Sequence, residues 1–350
     1  MLRSLPPAEF ACHVVVPSEP PLRAELEAMG ATVHLVPMRR ISTSHGITSW
    51  AGYAAGWPVA AARLTRLARR VGADIVHTNS LHSWYGWAVA TATRCPHVWS
   101  AREIVVQSGV ALRVERSLAR RADLVIAASN AVAAQLDPRN VVVVHENANP
   151  AIFQPSRAGA FRARVGIPDD APVVAVVGRI DTWKGIDVLL EAWPHAKAAR
   201  SDLHLIVAGG PVSGKNDYFT ALANRARRFA DVHWLGSRDD VADLYADTDL
   251  VVVPSTEPEP YGLVAVEAFA SGTPLIASDA GGLPEIVASA HPGAGTLVPP
   301  GDVDALASAL IAGIEQAGPT STTTRAKRHA LRDPEPDRYA ALLRGLVPET

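Results

Sequence analysis

Residues 250–285 read LVVVPSTEPEPYGLVAVEAFASGTPLIASDAGGLPE. The apolar run 250–253 has the length and β-branching of a buried strand, and a Pro- and Glu-rich loop stops it. A helical stretch follows at 262–271, Ser-Gly-Thr-Pro breaks it, and a second apolar run occupies 274–277. Strand, helix and strand in so few residues make a βαβ unit, which forces the two strands to lie parallel.

The same alternation extends both ways from this unit. Towards the N-terminus it predicts strands at 173–177, 203–208 and 232–235, with helices near 185–199, 217–229 and 241–246; towards the C-terminus it predicts a strand at 296–298 and a helix at 303–316. An earlier series has strands at 10–17, 32–37, 74–78, 97–101, 124–128 and 141–145. Its helices fall near 20–29, 58–71, 83–93, 111–121 and 130–136. Between the two series, around 145–160, the pattern lapses into Asn, Pro and Ala, as a linker would. A Ser/Thr-rich turn at 318–325 precedes a last helix near 336–346. The expected organisation is an N-terminal Rossmann-like domain (1–150), a linker (151–165), a second Rossmann-like domain (166–325) and a C-terminal segment (326–350) that packs back on the first domain. A length of 350 residues suits two α/β domains.

With 48% hydrophobic and 19% charged residues, the chain is too apolar to be disordered. A net charge of −2 hides an asymmetry: residues 1–165 hold 18 Arg and 10 acids, and the excess of acid lies beyond them. Arg63, Arg66, Arg69 and Arg70, then Arg113, Arg116, Arg120 and Arg121, sit in two helical stretches. These read either as solvated helix faces or as basic helices that touch an anionic membrane or an acidic substrate. No aromatic residues interleave with them, which argues against nucleic acid. Cys12 and Cys95 have neither disulfide-framework nor metal-ligand spacing and read as buried thiols. No run approaches the ~18 apolar residues of a membrane span, and no secretory signal is visible. The expectation is a cytoplasmic chain, at most peripheral to a membrane.

Two stretches carry chemistry. The first turn of the helix at 262 offers unpaired N–H groups and the positive end of the helix dipole. Gly262 has no side chain, so a diphosphate could approach the amides of Gly262, Leu263 and Val264. Glu259, read as an exposed loop carboxylate, and Glu267 flank that point and could accept hydrogen bonds from sugar hydroxyls. The second stretch, VGRIDTWKG (177–185), brings Gly178, Arg179 and Lys184 out at the end of a parallel strand. Two cations there suit a leaving group that gains negative charge.

Together, Gly178-Arg179, Lys184-Gly185, the Glu259-x7-Glu267 pair within EPYGLVAVEAFASGTP and the SDAGGLPE loop (278–285) resemble the retaining GT-B glycosyltransferases of the family-four type. That group includes sucrose- and glycogen-synthase-like enzymes and many bacterial mannosyl- and glucosyltransferases. The resemblance is strong over 173–298 and weaker before it. It implies two Rossmann-like domains with parallel sheets facing across a cleft and a nucleotide-diphosphate sugar as donor. A hydroxyl acceptor, transfer with retention, and no metal or other cofactor are also implied. Arg179 and Lys184 would hold the diphosphate, Glu259 the donor sugar, and Glu267 the ribose. Arg238, in the loop after 232–235, would border the nucleobase.

Two departures concern the first domain. Relatives open with a strand and a Gly-rich loop, whereas this chain starts near their second strand. In WSARE (99–103), Arg102-Glu103 stands where many relatives place a His and an acid. Arg102 cannot act as a base; it binds an anionic donor or acceptor, or pairs with Glu103. His77 is either an acceptor contact or structural. These departures keep open a relic that binds nucleotide sugar without transferring it; a GT-B epimerase or phosphorylase is a further alternative. GGPVSGKN (209–216) nearly spells a P-loop but ends in Asn216, which lacks the Mg²⁺-binding hydroxyl.

Overall fold

In a computed structural model, the described residues are 1–39, 47–105, 109–136, 138–155, 161–212, 214–317 and 338–347. The chain divides into two units: residues 1–146 joined by the C-terminal residues, and residue 147 onward. The predicted turn at 318–325 lies outside the described residues.

The second unit contains α6 (Phe161–Val165), β7 (Val173–Val177), α7 (Ile186–Ala199), β8 (His204–Ala208), α8 (Asn216–Ala226), β9 (Val232–Gly236), α9 (Val241–Ala246), β10 (Leu250–Val253), α10 (Leu263–Ala270), β11 (Leu275–Ser278), α11 (Leu283–Ser289), β12 (Gly295–Val298) and α12 (Val303–Ala317). Its strands form one parallel sheet in the order β12-β11-β10-β7-β8-β9. Counted within the unit and from the other edge, this is 3-2-1-4-5-6, the doubly wound Rossmann order. β7 and β10 are adjacent, yet their following helices cross to opposite sides. The loops after β7 and β10 therefore open a crevice at the switch point, where this topology binds ligands. Strands β7, β8 and β10 are almost wholly buried, which is why they read as unbroken apolar runs.

Two differences from the sequence reading lie here. Residues 161–165 are not linker: Phe161 is fully buried, and its N–H bonds Asp247 Oδ2 at 2.6 Å. Arg162 is buried too, 2.6 Å from Asp249 Oδ2, and donates to the carbonyls of Asp247, Asp169 and Ala171. Asp249 in turn accepts from Val173 N at 2.8 Å, so this ion pair ties the starts of β7 and β10. The loop read at 278–285 ends early: α11 begins at Leu283, with Pro284 in its first turn where a missing N–H costs nothing.

The first unit contains β1 (His13–Val16), α1 (Arg23–Ala28), β2 (Thr32–Leu35), α2 (Ile47–Val71), β3 (Val76–Asn79), α3 (Tyr85–Thr93), β4 (His97–Ala101), α4 (Gly109–Ala119), β5 (Leu124–Ala127), α5 (Asn130–Ala134) and β6 (Val141–Val143). Its parallel strands make two sheets, β1-β2 and β3-β4-β5-β6; among the described residues no strand joins β1 to β3. The C-terminal helix Arg338–Arg344 belongs to this unit, and Tyr339, Ala340 and Leu343 pack on Val98, Leu124 and Ile126. Helix α2 starts eleven residues before the predicted position, with Pro58 inside it. Tyr53 and Trp57 pack against Tyr85 and Trp84 of the α3 region, and this burial outweighs the roughly 3 kcal/mol penalty of an interior proline.

Candidate functional site

The turn after β7 is laid across the tips of its neighbours. Gly178 donates to Ala208 O and Ile180 to Gly210 O, each at 2.9 Å. A Cβ on Gly209 would lie 1.7 Å from the Gly178 carbonyl, so only glycine lets these two loops touch. Asp181, almost fully buried, caps the 3-10 turn Thr182–Lys184. It accepts from Thr182 N at 2.8 Å and Trp183 Nε1 at 3.0 Å and pairs with Lys215. Burial alone would raise the Asp181 pKa, but Lys215 and these donors hold it below the ordinary value. Lys215, the residue that would serve a P-loop, is thus committed to Asp181 and also donates to Thr182 Oγ1 at 3.2 Å; Ser213 of that stretch lies outside the described residues.

The turn delivers Lys184 to the loop after β10. Thr256 N donates to Trp183 O at 2.8 Å, and a Cβ on Gly185 would meet Pro254 O at 1.8 Å. Lys184 forms an ion pair with Glu259 and lies 4.2 Å from the centre of the Trp183 ring. Ser255 donates to the same Glu259 oxygen at 2.7 Å. Glu259 is only 5% exposed, so the expectation of an exposed loop carboxylate is corrected: the β7 and β10 loops close over it. Its backbone is clamped as well, with Glu259 O accepting from Gly282 N at 2.8 Å and Gly281 too close to carry a Cβ.

Gly262 precedes α10 with a φ of 106°, and its Cβ position is taken by Leu283. Intrahelical bonding begins with Ala265 N to Gly262 O at 2.9 Å, leaving the N–H groups of Gly262, Leu263 and Val264 as the open donors of the first turn. Glu267 receives the hydroxyl of buried Tyr245 at 3.2 Å. Burial raises the Glu267 pKa, and the Tyr245 hydrogen bond offsets part of that. Arg179 is exposed at the tip of β7 and has no partner among the described residues. Arg238 is held by Asp240 through two hydrogen bonds of 2.8 and 2.7 Å and lies over the Phe161 ring. The sequence reading missed Asp181, Ser255 and Tyr245 and met Lys215 only as the lysine of a near P-loop; all four position the residues it did single out. Of the three missed, only Asp181, an Asp-Thr pair opening a turn, left a local signal.

In the first unit, Arg102 follows β4 but does not pair with Glu103. Its guanidinium forms an ion pair with Glu146 and reaches Asn79 Oδ1 at 3.3 Å. Glu103 instead fastens the loop after β3, accepting from Ser80 Oγ at 2.5 Å and Leu81 N at 3.0 Å. His77 has both ring nitrogens engaged, with Ser100 Oγ and with Tyr339 OH, each at 2.8 Å. Burial, and then the neighbouring His97, Arg102 and terminal amine, lower its pKa to about 4. A neutral, doubly bonded His77 pins the C-terminal helix to β3 and offers no ring nitrogen to an acceptor. His82, 2.8 Å from buried Glu115, has a raised pKa through that hydrogen bond. Among the described residues, no helix is long and apolar enough to cross a membrane, and no group of three or more His, Cys, Asp or Glu could hold a metal ion.

Two Rossmann-like α/β units, the second doubly wound with cations and carboxylates gathered at its switch point, define the class of GT-B proteins. Comparison with known proteins agrees. Residues 158–330 match the family Glycosyl transferases group 1, and residues 1–146 match Glycosyltransferase Family 4. The D-inositol 3-phosphate glycosyltransferase of Mycolicibacterium gilvum is 35% identical, over 68% of this chain and 58% of that protein. The crystal structure of Anabaena HepE in complex with UDP and glucose superposes with a TM-score of 0.74 at 26% identity, covering 94% of this chain and 87% of that one. Sucrose-phosphate synthase from Thermosynechococcus elongatus shares the fold, with a TM-score of 0.67 at 24% identity over 97% and 94% of the two chains. The chain belongs to the GT-B glycosyltransferases of the family-four type. It spans less than two thirds of the length of the curated relative it matches.

Proposed function

We propose that the chain transfers a hexosyl group from a nucleoside diphosphate to a hydroxyl acceptor, with retention and without a metal. The observation that carries this is Lys184, held by Glu259 where the β7 and β10 loops meet, with Arg179 exposed in the same β7 loop and the amides of Gly262, Leu263 and Val264 open at the start of α10. A departing diphosphate would draw on all of these, the guanidinium in a fork and the amides along the helix dipole. Glu259, fixed by Ser255 and Lys184, would meet the donor sugar, and Glu267, held by Tyr245, the ribose. A bound diphosphate would share Lys184 with Glu259, so the ion pair keeps that lysine aimed before the donor arrives. Arg238 would border the base through its aliphatic stem. HepE, whose structure holds UDP and glucose, makes UDP-glucose the first donor to try. A phosphorylated polyol is the first acceptor, after the D-inositol 3-phosphate of the curated relative. Arg102, beside Asn79 and Glu146, is the acceptor-side residue retained from the sequence; the occupied His77 is not. A cytoplasmic protein that meets an anionic membrane surface through its N-terminal basic helices is the setting proposed for this reaction.

A titration with UDP-, GDP- and ADP-sugars, followed by an assay for released sugar, tests this. Selective binding with slow hydrolysis, lost in Glu259→Gln, is expected; no binding to any of them refutes the proposal. Binding without turnover, even with phosphorylated polyols supplied, favours the second reading, a nucleotide-sugar-binding protein without transfer. The division of the first unit into two sheets motivates that reading.

A further inference from the structure

Helix α2 carries a second cluster of cations that the donor chemistry does not use. Its residues Tyr53, Trp57, Ala60, Ala61 and Leu64 follow helical spacing and face α3. Arg63, Arg66 and Arg70 recur at i, i+3 and i+7 and therefore share another face. That face and the edge strand β2 border an open cavity of about 400 Å³, lined by the three arginines, Leu67 and the residues His34, Leu35, Val36 and Pro37 at the end of β2. This is room for a phosphoryl group with a small polar body attached.

Ordinary roles account for the neighbours but not for these three. Arg69, between them, donates to Ala92 O at 2.9 Å. On α4, Arg116 bonds the Gln135 carbonyl, and just beyond that helix Arg121 lies over the Trp87 ring. Arg63, Arg66 and Arg70 have no hydrogen-bond or ion-pair partner among the described residues. No acidic residue occurs anywhere between Glu27 and Asp74, so nothing nearby in the chain neutralises them. Favourable interaction with the helix dipole fades beyond the last turn and does not reach Arg63 or Arg66. Like charges at these spacings destabilise the helix. His34, 3.0 Å from His13, has its pKa lowered by burial, then by His13 and Arg70, so it enters the cavity wall as a neutral hydrogen-bonding group.

We infer that this cavity is a binding site for a phosphate-bearing ligand, separate from the donor site, with Arg63, Arg66 and Arg70 as its anion contacts. Guanidinium forks match phosphate oxygens, and three of them select a doubly charged monoester or a clustered phosphodiester over a single carboxylate. The inference goes beyond the proposed transfer reaction and does not depend on it; a lipid headgroup in this cavity would give the proposed membrane contact its site.

Inorganic pyrophosphate titrated into the full chain by calorimetry tests the site. The donor loop should take pyrophosphate as well, so cavity binding is read in Arg179→Ala, and adding Arg63→Gln/Arg66→Gln to that variant should weaken it at least tenfold. Arg70→Gln alone provides an independent check, and circular dichroism confirms folding of each variant. A parallel arm measures co-sedimentation with phosphatidylcholine vesicles with and without phosphatidylglycerol. Pyrophosphate binding lost when Arg63→Gln/Arg66→Gln is added assigns a soluble phosphate; binding only to phosphatidylglycerol vesicles, lost with the same two substitutions, assigns a lipid headgroup. Either supports the site. No binding in either arm, or binding indifferent to Arg63 and Arg66, overturns it. Loss of pyrophosphate binding in Arg179→Ala alone overturns it too and leaves the donor reading intact.

Discussion

Lys184 and Glu259 act as a unit, and their environment decides how each can be tested. Both are shielded from water, so removing one strands the other's charge at low dielectric. Lys184→Ala should therefore weaken nucleoside diphosphate binding and also lower the stability of the second unit, read by urea denaturation, by about 3 kcal/mol, the loss from breaking a buried bridge. Glu259→Gln keeps the shape and the Ser255 contact, so it should lose turnover with a smaller loss of stability. The double variant should be more stable than the sum of the two predicts, because neither charge is left alone; strict additivity in urea denaturation would mean that the ion pair is not made. The sequence singled out both residues but not their mutual contact. They lie 75 positions apart, and nothing in the local pattern of either encodes the other.

At the scale of elements, the switch point is held by close approaches of backbone. Gly185 combines a φ of 66° with a Cβ position 1.8 Å from Pro254 O, and neither allows a side chain. Gly185→Ala should therefore destabilise the second unit by more than the ~1 kcal/mol of the dihedral alone, because the β10 loop must move. Donor affinity should fall with it, whereas Gly166→Ala, with φ also positive at 72° but open space around it, should show only the dihedral cost. Equal effects in the two variants would remove the close approach as the cause. Most strands were legible because burial on both faces forces an apolar run. Helix α2 was misplaced because Pro58 is a start signal locally, and only Tyr85 and Trp84, from elsewhere in the chain, outweigh it.

Across the whole molecule, the last helix completes the first unit. Tyr339 OH meets His77 Nδ1 across 262 residues of chain. Tyr339→Phe should cost roughly 1–3 kcal/mol by leaving a buried nitrogen unpaired, measurable as a lower unfolding temperature of that unit; an unchanged temperature would mean that water replaces the hydroxyl. The same region predicts acid sensitivity. His77 and His97 have pKa values of about 4, both lowered chiefly by burial, against 6.5 when unfolded. Between those values the unfolded chain binds more protons, so stability falls as the pH drops from 6.5 towards 4. His82, whose pKa is raised, acts in the window above 6.5, where its stabilisation is lost as the pH rises. Thermal unfolding from pH 4 to 7 should thus show a slope that His77→Gln reduces; a flat profile would contradict buried neutral histidines.

The amino-acid pattern by itself determined the doubly wound class, the two-unit organisation and the residues of the switch-point loops. Each of these is written in short-range periodicity, in glycines that only a tight turn requires, or in charge placed at the end of an apolar run. Tertiary structure alone decided what those residues touch. It buried Glu259 against Lys184, turned Arg102 towards Glu146 instead of Glu103, absorbed His77 into the packing of the last helix, and left three arginines of α2 without partners among the described residues. Pairings between positions tens to hundreds of residues apart depend on sheet order and loop closure, and those exist only once the chain has folded.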